Sequence, residues 1–175
     1  MLKKHYTIGC CGIDCALCPR YYTKSDSKCP GCGGPEFSEK HPSCAILNCC
    51  FKKHKLEVCS LCEDFPCDKY KDKDKIEKDS FVTHKKIHQN FDFIKKNGLE
   101  AFISVQKIRA ELLTLMLEKY NDNKSKSFFC KAVALLSLES INHISEYLEN
   151  NKDINTKQLK IILNELANSD EVDLK

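Results

Sequence analysis

The chain has no tryptophan and only two methionines among its 175 residues. Glycine and proline are sparse, six and five residues, and no proline follows Pro66. Beyond that point the strongest helix breakers are almost gone, with Gly98 the one remaining glycine. No apolar run approaches the ~18 residues of a membrane span. An excess of one charge sign is missing too. Residues 1–80 hold 14 Lys+Arg against 12 Asp+Glu, residues 81–175 hold 14 against 13, and the net charge is +3. Neither half is a basic block, so binding to nucleic acid or to an anionic membrane has little electrostatic support. The start, "MLKKHYTIGC", carries a basic pair without an apolar h-region. That predicts a cytoplasmic chain that is not secreted. No phosphate-cradling glycine loop, Ser-His-Asp arrangement or strand-like alternation stands out. No catalytic residue is assigned, and the reading leans away from an enzyme.

What the chain does have is cysteine. Of 13, 12 fall between Cys10 and Cys67, and only Cys130 lies outside. In a reducing cytosol, clustered cysteines read as metal ligands rather than disulfides. A secreted disulfide scaffold is the weaker alternative, since 13 is odd and no export route is visible. The spacings support metal. Cys11-x3-Cys15-x2-Cys18 opens the series and Cys29-x2-Cys32 follows in "CPGCGG". Then come Cys44-x4-Cys49, Cys59-x2-Cys62 and Cys67. A two-residue gap lets one tight turn present both sulfurs to a cation while backbone N–H groups point at them. Zinc takes four such ligands in a tetrahedron, at ~2.3 Å. Cys15/Cys18 with Cys29/Cys32 makes a simple first set, and Cys44/Cys49 with Cys59/Cys62 a simple second. Cys11, Cys67, Cys10 and Cys50 are left over, so an interleaved arrangement, a third metal or a shared-thiolate cluster stays open. His41 and His54 are alternative nitrogen ligands. All five prolines and five of six glycines lie within residues 1–68, a loop composition that buries little apolar surface alone. A structural zinc contributes ~10–16 kcal/mol in small peptide systems, against ~5–15 kcal/mol for a whole domain.

"CGIDCALCP", "CPGCG", "CAILNC" and "CSLCEDFPCDK", in that order, resemble a prokaryotic family of cysteine-rich proteins carried as a domain of unknown function and described as zinc-binding. "KIRAELLTLMLEKYNDNKSKSFFCKAVALLS" resembles the helical second half of its members. The resemblance implies metal ligation by Cys11, Cys15, Cys18, Cys29, Cys32, Cys44, Cys49, Cys59, Cys62 and Cys67, and implies no reaction. Cys10 and Cys50 are additions to that pattern. The cofactor expected is Zn2+, two ions or more, in structural sites that support a binding or scaffold surface.

Three rival functions compete. Thiolates hold iron–sulfur clusters as readily as zinc, and Cys11-x3-Cys15-x2-Cys18 is the spacing of radical S-adenosylmethionine enzymes. Those need an alternating β/α barrel that this chain does not show. A thiol or metal sensor is suggested by "CCFKKHK", where Cys49 and Cys50 sit beside Lys52, Lys53 and Lys55. A nucleic-acid-binding zinc protein would use the cluster Lys52, Lys53 and Lys55 with Arg20, Lys24 and Lys28 nearby and Tyr21 and Tyr22 beside Arg20, opposed by Glu63, Asp64 and Asp68. Partners stay open, a protein being the candidate, and no membrane contact is expected.

The fold expected is mostly α: a cysteine-rich zinc-knuckle module with little regular structure over residues 1–79, then a small helical bundle over residues 80–175. "DKYKDKDKIEKDS" reads as a solvated face or linker, with Pro66 placed to start a helix into it. Phe81, Ile87, Phe91 and Ile94 mark one helix, stopped at Asn97-Gly98. Leu99, Phe102, Ile103, Ile108, Leu112, Leu115 and Met116 mark a central helix. "FFCKAVALLSLESINHISEYLEN" is a third apolar stretch with a possible break at Ser140. Asn155 and Gln158 form a capping box for a last helix over about 156–168. That makes about four helices. His84 and His88 are spaced for one helix face, but Lys85 replaces the Glu of zinc peptidases, so they read as surface histidines. Cys130 reads as a buried hydrophobe, and Asp14 as a turn cap.

Overall fold

The computed structural model describes residues 2–69 and 84–174. The chain divides into two compact units, Met1–Gln106 and Lys107–Lys175. The boundary near residue 80 expected from composition, most of the mixed-charge run and Phe81 lie outside the described residues. The architecture is mostly α, and among the described residues the β-type pairing is a single bridge between Ile8 and Asp14.

In the first unit, the segment before residue 70 is built from turns. It holds α1 (Phe37–Lys40) and α2 (Ala45–Leu47), which runs into a π-helical turn over Asn48–Lys53. Asp68 and Lys69 lie in a turn after Pro66, and the rest of the segment into which a helix is expected lies outside the described residues. Short elements like these have few internal hydrogen bonds, so they depend on packing. Ile8, Phe37, Ile46, Leu47, Phe51 and Val58 supply apolar surface. It is completed by Ile87, Phe91 and Ile94 from α3 (Ile87–Asn97) and by Phe102 from α4 (Leu99–Lys119). The spacing of the α3 residues puts them on one helix face. Asn90 donates to Gly12 O at 2.9 Å. Gln106 Nε2 donates to Thr7 O at 2.9 Å and to Asp14 Oδ1 at 2.6 Å. Asp14 therefore holds a helix side chain, and its carboxylate makes no cap on the turn that follows it.

The buried positions of α4 are Phe102, Gln106, Leu112, Leu113 and Met116, with Tyr120 buried just past its end. Ile108, expected inside, is 42% exposed. The polar Gln106 occupies its own place among the buried positions, which hid the register.

The second unit holds the later turns of α4 with α5 (Lys126–Leu135), α6 (Leu138–Asn150) and α7 (Thr156–Ser169). Leu113, Met116, Phe129, Leu136, Ile141, Ile144, Leu159 and Leu163 are fully buried there, and Cys130 is buried among them as a small hydrophobe. The third apolar stretch is two helices, so five helices of ten residues or more are described instead of four. The break comes before Ser140, because Ser137 adopts extended backbone and its Oγ accepts from Ser140 N–H at 3.1 Å. Arg109 donates to Val133 O and Leu136 O, carbonyls at the end of α5 that no later turn satisfies. The capping box forms at α7: Gln158 N–H donates to Asn155 Oδ1 at 3.0 Å, and Asn155 N–H to Gln158 Oε1 at 2.8 Å. Among the described residues no helix is long and apolar enough to cross a membrane.

Candidate metal centre

No disulfide joins any of the 13 cysteines. Local backbone structure prepares the thiols in pairs. "CALC" and "CSLC" wind into matching 3-10 turns over Cys15–Leu17 and Cys59–Leu61. Cys18 N–H donates to Cys15 O at 3.2 Å, and Cys62 N–H to Cys59 O at 3.0 Å. Backbone angles at the second cysteine nearly coincide, φ −83° and ψ 133° at Cys18 against φ −83° and ψ 137° at Cys62. In "CPGC", Gly31 has φ +86°, and a Cβ there would strike Tyr6 O. Only glycine satisfies both conditions. Cys29 N–H donates to Arg20 O at 3.0 Å, tying this turn to the first knuckle.

Backbone N–H groups also point at sulfur. Arg20 and Tyr21 donate to Cys18 Sγ, Cys32 donates to Cys15 Sγ, and Cys10 donates to Cys32 Sγ at 3.5 Å. Such donors favour the thiolate form that a metal requires.

Tertiary packing sorts the thiols into two pockets, both within the first unit. One, of about 320 Å³, is lined by Cys11, Cys15, Cys18, Cys29, Cys32 and Cys44, with His41 and His84 on its wall. The other, of about 30 Å³, is lined by Cys49, Cys50, Cys59, Cys62 and Cys67, with His54. The ten ligands assigned from sequence thus divide six and four. Cys15, Cys18, Cys29 and Cys32 share a pocket. Cys44 and Cys49, paired on paper, part company. Cys44 precedes α2 on extended backbone, while Cys49 leaves from the π-helical turn beyond it. The turn after Pro66 brings Cys67 into the second pocket instead. His84 precedes α3 and His88 lies on it exposed, so the two share no helix face.

Electrostatics separates the thiols. Burial pushes Cys15 and Cys18 above the usual thiol range, against the N–H donors that oppose it. A hydrogen bond from Cys32 pulls Cys10 down, but its bond to Cys50 and its burial outweigh that and hold it at about 12. Cys50 is likewise lowered by Cys10, then raised further by Cys59 and by burial, to about 12. Hydrogen bonding to Cys10, then burial, raises Cys32. A buried, protonated Cys50 is a poor nucleophile, contrary to the reactive thiol that the neighbouring lysines suggested.

The donor set fits a thiophilic cation. The sulfurs come in prearranged pairs, receive N–H donors and face two shared cavities, with Arg20 and Lys40 beside the larger and Lys69 beside the smaller. They line these walls without closing on a point: among the described residues, no three His, Cys, Asp or Glu side chains stand close enough to hold an ion.

The sequence reading passed over two elements here. Cys10 and Cys50 looked like spare thiols, although each stands in a doublet whose partner faces a pocket. Gln106, buried on α4, carried no expectation from the sequence.

Residues 7–72 match the family described as "Protein of unknown function (DUF3795)". The resemblance carried by the cysteine motifs is borne out over that stretch. No curated protein and no solved structure matches the chain.

Proposed function

We propose that the cysteine-rich segment binds two structural zinc ions, one in each pocket, and so forms a scaffold that presents a binding surface to a protein partner. The observation that carries this is the division of the ten assigned cysteines, six lining one pocket and four the other. Four thiolates complete a tetrahedral zinc site and leave no open position for substrate. In the smaller pocket those four are Cys49, Cys59, Cys62 and Cys67, and its volume of about 30 Å³ suits a single ion. The larger pocket draws four from its six. Such thiols need a reducing compartment, which supports a cytoplasmic location. Nucleic acid is disfavoured: the balanced charge gives little phosphate attraction, and Lys28 lies over the Tyr21 ring at 5.4 Å, where a base would stack.

Metal analysis of protein purified under reducing conditions without added metal tests the proposal. The expected result is two zinc ions or more per chain. A brown, iron-containing sample would overturn the zinc assignment. One observation favours that second reading for the larger pocket alone: about 320 Å³ ringed by six thiols has room for an iron–sulfur cluster.

A further inference from the structure

The sequence contains a single Asn-Gly step, Asn97-Gly98. Such a step carries its own reaction. The glycine amide nitrogen attacks the asparagine side-chain carbonyl, because no β-carbon on glycine crowds the approach. A bond forms between Gly98 N and Asn97 Cγ, and the bond from Cγ to Nδ2 breaks. The Gly98 N–H proton leaves with Nδ2 as ammonia. Water then opens the cyclic imide at either carbonyl, giving aspartate or isoaspartate. Nothing is oxidised or reduced, and water is the only co-reactant.

The fold puts this step where water reaches it and holds it shut. Asn97 ends α3, Gly98 separates it from α4, and both are exposed. At Gly98, with φ +88°, a Cβ would meet nothing within 4 Å. Bulk therefore gives no protection; two hydrogen bonds do. Gly98 N–H, whose nitrogen is the nucleophile, donates to Ile94 O at 2.9 Å. Asn97 Nδ2, the leaving group, donates to Phe93 O at 3.1 Å. Both acceptors belong to the last turn of α3, so the reaction waits for that turn to open. A solvated helix end opens at little cost, but this one is anchored. Ile94 is 1% exposed and joins Ile87 and Phe91 in the core of the cysteine-rich segment. Across the junction Phe102 enters the same core, and its ring meets Phe93 edge-on at 6.2 Å.

We infer that Asn97-Gly98 is a latent self-modification site, kept unreacted by the docking of α3 on the cysteine-rich segment and converted to aspartate or isoaspartate when α3 lifts away. The inference does not depend on bound metal. Conversion has structural consequences. The new carboxylate has no proton to give Phe93 O, and it sets negative charge at the C-terminal end of α3, where the helix dipole opposes it. Isoaspartate also routes the main chain through the former side chain, which lengthens the link between α3 and α4. A converted chain docks α3 less well, so chains that open often become marked.

The test is peptide mapping by mass spectrometry of the full chain after incubation at mildly alkaline pH, with electron-transfer fragmentation to tell isoaspartate from aspartate. One sample is native and reduced; the other is unfolded in denaturant. Conversion at Asn97 should run about tenfold or more slower in the native chain, since it tracks the population of the opened turn. Ile94→Ala loosens the docking and leaves the Asn-Gly step intact. It should speed native conversion severalfold without changing the rate in denaturant. Hydrogen exchange at the Gly98 amide gives a second readout that needs no variant: exchange and conversion should rise together as denaturant is added below the unfolding transition. Equal conversion rates in native and unfolded chains overturn the inference, as does an Asn97 that converts in neither. A folded Ile94→Ala chain that converts at the parent rate overturns the role of docking.

Discussion

Residues 107–174 bury Leu113, Met116, Phe129, Ile141, Ile144, Leu159 and Leu163 on long helical faces, with a serine cap, a capping box and an arginine on the ends. Residues 2–69 have the reverse economy: no helix longer than four residues apart from one π-helical turn, and 12 thiols. Where secondary structure is long, each residue brings its own hydrogen bonds and the core follows from periodicity. Where it is short, turns must be fixed by something else. Part of that is apolar after all. Ile8, Phe37, Ile46, Leu47, Phe51 and Val58 form a core with α3, so the segment is less bare than its loop composition suggested. The rest falls to the thiols.

The sharpest way to break the comparison is to remove the ions. A strong chelator with reductant should leave residues 107–174 folded while residues 2–69 lose amide-proton dispersion and become open to protease. The expected effect is the largest here, since each structural zinc contributes ~10 kcal/mol or more in peptide systems. Unchanged protection of residues 2–69 would mean that the apolar core with α3 suffices.

Truncation of a core side chain runs the comparison the other way. Phe129 is 0% exposed, and Phe129→Ala should cost ~3–5 kcal/mol by denaturant unfolding, with metal content unchanged. A simultaneous loss of metal would show that the two units are not energetically separate.

The contrast also explains what could be read from the amino acids alone. Periodicity located α3, α4 and α7, and the Asn155–Gln158 box was legible because both partners lie within one turn. The break at Ser137 was harder, because Ser137 and Ser140 both stand in an apolar run and only backbone geometry decides which one caps. In the cysteine segment the pairs were legible from spacing, since two residues fix a turn. Which pair meets which was not. Cys44 and Cys49 are five positions apart in sequence yet face different pockets, because α2 intervenes. Lys3 was invisible: nothing in "MLKK" distinguishes a buried ammonium from the exposed one at Lys4.

Gly31→Ala probes a single turn on the metal side. At φ +86°, with Tyr6 O in the path of a Cβ, alanine meets both backbone strain and a clash, a cost of ~1–3 kcal/mol from the strain alone. Cys29 and Cys32 flank that position and line the larger pocket. Metal in the larger pocket should weaken while that in the smaller pocket holds. A Cd2+ titration that resolves the two sites checks this, and equal weakening of both would mean that the pockets respond as one body.

The smallest effect sharpens the comparison most finely, because it tests whether the helical unit is stabilised by local increments. Ser137 Oγ accepts from Ser140 N–H at 3.1 Å at the start of α6, and Ser137 N–H in turn donates to Asp170 Oδ2 at 2.7 Å. Ser137→Ala removes the first bond and keeps the second, since the backbone donor remains. The expected cost is ~1 kcal/mol. Spread over a unit of this size, it should lower the melting temperature by roughly 4–8 °C. Ser137→Asp restores an acceptor at the same place and places negative charge at a helix start, which should recover most of the loss. It also sets that charge near Asp170, and a rescue that improves with added salt would reveal the repulsion. Neither variant should change metal content. If alanine costs nothing, the break between α5 and α6 is set by packing around Leu136, which is fully buried, and the cap follows from the break.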